Sequence, residues 1–373
     1  MSQNNEEVEE EILYNKEECY IKEPFDIRSI NIFPKTLTIS NLSDRLRDDE
    51  IILDPEYQRN PNLWGDKEQS RLIESLIILV PLPTFYFDQS EDEKYEVIDG
   101  IQRLTAIKRF IVEDANSSNK LRLKNLEYLH DLEGLTYEEL PRSIQRRINE
   151  QNVIAYVIGK GTDNKIKESI FTRINTGGLS LTRAEIRNAL YRGKAASLVK
   201  ELATSSEFIK ATRGSVKNQR MLDREFVTRF FAFYLLDVNN FIGRFEEFLS
   251  AALEYIRNSS DESIREYRNI FIDTMSFCYS LFGDSAFRRI SENGKTGVIN
   301  KPLFDAVSVS LARLGSAEKN KILEHKESFL KRYRELFNDD KFRDVISNAT
   351  ATKSNIEKRY EMIQSIVEET LND

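Results

Sequence analysis

Apolar and polar positions change rhythm along this chain of 373 residues. In the first half, short alternating runs interleave with helical stretches. Strands are predicted at Leu37–Ile39, Ile51–Leu53, Thr84–Phe87, Tyr95–Ile98, Leu126–Leu129 and Val153–Ile158. Helices are predicted at Leu42–Arg47, Lys67–Ile78, Gln102–Val112, Pro141–Glu150, Lys165–Ile174 and Arg183–Tyr191. From about residue 182 the strand signals fade. Helical periodicity then runs through Glu225–Leu236, Phe241–Arg257, Ile264–Phe282, Pro302–Leu314, Lys319–Phe337 and Ser354–Leu371. Turn-forming clusters such as Asn258-Ser259-Ser260-Asp261 and Gly315-Ser316 separate these helices. The expected fold class is therefore α+β. A disordered acidic tail (1–24) precedes a mixed α/β domain (25–180), and an all-α bundle (181–373) follows.

The run Phe226, Phe230, Phe231, Phe233 and Tyr234 has helical spacing, which makes it core packing rather than a base-stacking surface. Cys19 and Cys278 lie far apart without metal-ligand spacing, so both are expected to be reduced. No apolar run is long enough to span a membrane and the first residues are acidic, so a cytoplasmic protein is expected.

The net charge of −8 hides an asymmetry. Residues 1–23 carry a net −6, 24–140 a net −9, 141–230 a net +10 and 231–373 a net −3. The basic segment is either the footprint of a nucleic-acid or nucleotide site or a set of arginines that pair with the acidic first domain across an interface.

The most informative stretch is Asp99-Gly100-Ile101-Gln102-Arg103, which lies where a strand should turn into a helix. The first amides of a helix have no partner within it, and the dipole adds positive charge there, so such junctions attract anions. Gly100 would let a ligand approach the backbone, and Arg103 would add a fork of donors suited to phosphate. A simple turn with a capping aspartate is the structural alternative. The same two-way choice holds for Thr182-x-x-Glu185, which reads as a capping box.

Around this junction stand Tyr57-Gln58-Arg59, Trp64, Gln69 and Ile73-Glu74-Ser75-Leu76-Ile77, and downstream Phe171-Thr172-Arg173-Ile174-Asn175-Thr176-Gly177-Gly178 and Glu185-Ile186-Arg187. In this order they resemble the N-terminal domain of GmrSD-type restriction endonucleases, a ParB/sulfiredoxin-like family marked by Asp-Gly-Gln-Gln-Arg. Ile101 replaces the first glutamine of that motif. The resemblance runs from about Ile39 to about Leu190.

It implies a site for a nucleoside triphosphate, ATP or GTP first, with Mg2+. Asp99, Gln102 and Arg103 would be catalytic, and Gln58, Arg59, Gly100, Arg173 and Asn175 would bind the nucleotide. Asp99 would be the metal ligand. The chain holds two histidines, His130 and His325, too few and too far apart for the His-Asn-His nuclease that such enzymes join to this domain. Three functions stay open. The first is an NTP-hydrolysing module of an anti-phage restriction system whose nuclease is on another chain. The second is a ParB-like metal-dependent DNA nuclease using Asp99 and acids such as Glu96. The third is a nucleotide-gated DNA adaptor without turnover.

Overall fold

The computed structural model describes residues 8–13, 30–53, 64–89, 94–114, 116–162, 166–170, 182–238, 241, 243–291 and 295–373. The chain divides into two compact units, Glu23–Ile186 and Met1–Lys22 together with Arg187–Asp373.

The first unit is built on five strands: β1 (Ile32–Thr38), β2 (Ile51–Ile52), β3 (Phe85–Asp88), β4 (Tyr95–Asp99) and β5 (Asn152–Ile158). Their order in the sheet is β1-β5-β3-β4-β2. The β1–β5 and β3–β4 pairs are antiparallel, and β3–β5 and β2–β4 are parallel. Strand alternation decides which face is covered. Val153, Ala155 and Val157 of β5 are buried, whereas Ile154 stays 52% exposed and Tyr156 36%. The buried face joins one core with Leu42 and Leu46 of α1 (Ile39–Arg47), Ile73 and Leu76 of α2 (Asp66–Ile77), Leu104 and Ile107 of α3 (Ile101–Ile107), and Ile148 of α4 (Arg142–Glu150). The helix predicted over Gln102–Val112 is α3 followed by a π-helical turn, Lys108–Val112.

Residues 126–129, expected as a strand, do not form one. Their backbone donors are taken instead by a side chain: Glu74, buried on α2, accepts the N–H groups of Glu127, Tyr128 and Leu129 at 2.8, 2.7 and 2.9 Å. A carboxylate that satisfies three consecutive amides removes the need for a sheet partner. Burial acts to raise the Glu74 pKa, but the three amides outweigh it and hold the carboxyl below its usual range.

Residues 166–170 are helical (α5), and the rest of the helix expected over Lys165–Ile174 lies outside the described residues. Helix α6 (Arg183–Leu190) begins at the expected capping box: Glu185 N–H donates to Thr182 Oγ1 at 3.1 Å and Thr182 N–H to Glu185 Oε2 at 2.6 Å.

The second unit is helical: α7 (Lys194–Ala203), α8 (Ser206–Ala211), α9 (Leu222–Leu235), α10 (Phe245–Arg257), α11 (Asp261–Phe282), α12 (Lys301–Ala312), α13 (Ser316–Glu324), α14 (Lys326–Leu336), α15 (Asp340–Val345) and α16 (Lys353–Leu371). Phe226, Phe230, Phe231 and Phe233 of α9 are all fully buried, which makes the aromatic run a core. The single helix expected over Lys319–Phe337 breaks at His325, which ends α13 with non-helical dihedrals. The unit also departs from an all-α bundle. A short hairpin, β6 (Arg288–Ile290) and β7 (Thr296–Ile299), precedes α12. Residues 8–13, expected within a disordered tail, are placed on this unit, with Val8 bridging Ile299.

Candidate functional site

The junction between β4 and α3 has the local form the sequence predicts. Gly100 caps α3 with φ +102°, a left-handed conformation open to glycine. A Cβ there would lie 2.5 Å from Cδ1 of Phe85 on the neighbouring strand, so the side of the junction facing β3 is filled by the protein itself. The first intrahelical bond runs from Leu104 N–H to Gly100 O at 2.9 Å. The amides of Ile101, Gln102 and Arg103 precede it, at the positive end of the helix.

Arg103, expected to be a phosphate ligand, is engaged within the protein. Its guanidinium donates to the carbonyl oxygen of Pro83, to that of Thr84 at 3.3 Å and to Asp99 Oδ2 at 2.8 Å, and it lies 4.6 Å from the centroid of the Phe85 ring. Only 8% of the residue is exposed. Burial pulls the guanidinium pKa down and Asp99 partly restores it. The donors proposed for phosphate are thus used to join the end of β4 to the chain entering β3. The physical reason is the position of Asp99, whose carboxylate lies four residues before Arg103 across the tight glycine turn.

Asp99 is correspondingly less available as a metal ligand, because one oxygen is engaged by Arg103, although 38% of its side chain stays exposed. Asp88 and Glu96 face each other in the β3–β4 register, and Asp88 pairs with Lys167 at 3.0 Å. Among the described residues no group of three or more His, Cys, Asp or Glu converges as a metal site.

Gln102 is half-buried, and its Oε1 accepts the N–H of Trp64 at 3.3 Å. The carbonyl oxygen of Trp64 accepts from Gln69 Nε2 at 2.8 Å, and Gln69 Oε1 accepts from Arg109 at 2.7 Å. Arg109 also reaches Asp66 at 3.1 Å and the carbonyl oxygen of Asn119 at 2.8 Å. Trp64 is therefore a backbone anchor, held beside the start of α3 by Gln102 and Gln69. Gln58, Arg59, Arg173 and Asn175 themselves lie outside the described residues. Sequence reasoning missed Phe85 and Arg109 as parts of this junction. Arg109 lies seven residues after Gln102, a spacing that returns to the same helix face.

Among the described residues of 141–230, several cations pair with acidic residues of the helical unit rather than with the first domain. Arg187 pairs with Glu246, Lys194 with Asp261 at 2.6 Å and Arg229 with Asp305 at 2.5 Å, whereas Arg142 and Arg146 are exposed on α4.

A mixed five-stranded sheet packed against helices, a glycine-turned strand–helix junction and a separate helical unit define an α+β protein of two parts. Residues 39–192 match the family model of the GmrSD restriction endonuclease, N-terminal domain, so the chain carries that domain. The domain points to a module of a restriction-type defence system. No curated protein and no solved structure matches the chain. Among the described residues no helix is long and apolar enough to cross a membrane.

Proposed function

We propose that the chain binds and hydrolyses a nucleoside triphosphate at the β4–α3 junction and thereby licenses DNA cleavage by a nuclease on another chain. It would do so in the cytoplasm, as part of an anti-phage restriction system. The observation that carries this reading is the double anchoring of Trp64. Gln102 accepts its N–H and Gln69 donates to its carbonyl oxygen, which seats Trp64 beside the first turn of α3. Polyphosphate is held by the backbone amides of that turn and the side-chain amide of Gln102, with Arg59 and Arg173 as the cations, while Arg103 keeps the turn in shape.

The donor set fits a nucleotide-borne Mg2+ better than an all-protein metal cage. Asp99 offers one unengaged carboxylate oxygen, and Mg2+ commonly takes one or two carboxylates together with substrate phosphates and water. The ion, when bound, would neutralise charge on the phosphates. A ParB-like ancestry of the sheet domain is part of the same proposal.

A second reading has one observation in its favour. Arg142 and Arg146, exposed one turn apart on α4, suit contact with DNA phosphates, so in this reading the chain is instead a nucleotide-gated DNA adaptor without turnover. Thermal melting with each of ATP, GTP, CTP and UTP plus Mg2+ tests the common step. Stabilisation by one of them supports the site, and identical melting with all four removes it. Phosphate release above background then separates hydrolysis from the adaptor.

A further inference from the structure

Residues 8–13 cross the helical unit as an extended strap. At one end Val8 bridges Ile299 of β7, and Glu9 N–H donates to Ile299 O at 2.7 Å. At the other end Thr350 and Ala351 donate to the carbonyls of Ile12 and Leu13, both at 3.0 Å. Between them, two glutamates enter a basic slot. Glu11, with 5% of its side chain exposed, takes both ends of the Arg229 fork at 2.7 and 3.0 Å and the hydroxyl of Thr350 at 2.7 Å. Glu9 takes Arg289 at 2.9 and 2.6 Å and the Asn300 amide at 3.0 Å.

Two features distinguish this strap from an ordinary core strand. Its apolar side chains do little: Ile12 is 53% exposed, and Val8 and Leu13 are only half-buried. Its seat is also held by groups outside the strap. Arg229 is gripped by Asp305 at 3.0 and 2.5 Å, Arg359 donates to Thr350 O, and Lys301 pairs with Glu225 at 3.0 Å. Removing the strap would leave Arg229 oriented by Asp305, with its second face and Arg289 lacking their carboxylates. Such a slot recognises extended acidic chain through backbone bonds and paired charges.

We propose that this slot is a peptide-binding site whose resident ligand is the chain's own residues 8–13, and that it accepts in trans an extended acidic segment with two glutamates two residues apart. The site lies within the helical unit and is independent of the nucleotide reading. The test uses the full-length chain and a fluorescent synthetic peptide with the sequence of residues 7–14. The Glu9→Gln/Glu11→Gln chain, whose own strap is weakened, should bind the peptide about ten-fold or more tightly than wild type, a difference of ~1.4 kcal/mol. Adding Arg289→Ala should reverse that gain, and a peptide with glutamine in place of Glu9 and Glu11 should not bind. A cooperatively folded double variant that binds no better than wild type, or that binds the glutamine peptide equally, overturns the proposal. Should the double variant not fold, hydrogen exchange on the wild type decides. The Glu9, Thr350 and Ala351 amides should exchange well before those of α9, and exchange together with α9 would show a fixed strap.

Discussion

Arg103 Nη2 lies 2.8 Å from Asp99 Oδ2, and the pair spans the left-handed turn at Gly100 from the last residue of β4 to the first turn of α3. The same guanidinium holds two carbonyl oxygens before β3 and rests on Phe85, so one side chain ties three segments of chain together. A residue in this position fixes the shape of the turn.

Arg103→Ala should therefore lower stability whether or not nucleotide is present. It leaves two carbonyls and a partly exposed carboxylate without their donor, at a cost of about 2–3 kcal/mol. Arg103→Lys should recover only part of this, since an ammonium cannot reproduce the fork. Chemical denaturation followed by circular dichroism checks it. Unchanged stability with lost nucleotide binding would return Arg103 to the role of phosphate ligand.

Gly100→Ala should destabilise the sheet domain by more than 1 kcal/mol, because it adds a left-handed alanine and a clash with the Phe85 ring. Phe85→Leu in the same chain should relieve the clash but not the dihedral strain. A double-mutant cycle measured by thermal melting should show a favourable coupling, and strict additivity would place the strain elsewhere.

Glu74→Gln should cost about 1–3 kcal/mol by replacing a charged acceptor of three amides with a neutral one. The pH dependence has a defined sign. The folded Glu74 pKa lies below the ordinary value of 4.5, so its contribution is fully present above that value and is lost as pH falls through the folded pKa. Melting from neutral pH down to acid should show a smaller acid-induced drop in Glu74→Gln than in wild type.

Arg229→Met should be the most damaging single change in the helical unit, since it leaves Glu11 and Asp305 buried without their shared cation. A loss of about 3–5 kcal/mol is expected. Adding Asp305→Leu should return part of it, as read by denaturant midpoints.

Much of this architecture was legible because the strands of the first unit are short apolar runs bounded by turn residues and the α9 aromatics repeat at helical spacing. Capping chemistry was legible too, since Thr182 and Glu185 meet as their spacing requires. Three features were not. The failed strand at 126–129 depends on Glu74, more than fifty residues earlier, and β-propensity carries no trace of such a partner. The acidic stretch at 8–13 looked too poor in apolar residues to order itself, and it is instead placed by arginines that are hundreds of residues away in sequence. At Arg103, charge and position fit a phosphate and a carboxylate equally well, and nothing in the sequence marks the Pro83 and Thr84 carbonyls that its guanidinium meets.

The central claim is that the first turn of α3 holds a nucleoside triphosphate through its amides and Gln102. Gln102→Glu tests it most directly, because the substitution keeps an oxygen for the Trp64 N–H while it removes the side-chain donor and adds negative charge. Calorimetric titration of ATP, GTP, CTP and UTP with Mg2+ into wild type should give saturable binding of at least one. The variant should melt as wild type does and bind that nucleotide about ten-fold or more weakly. Absence of saturable heat with all four, or equal affinity in wild type and variant, would contradict the account.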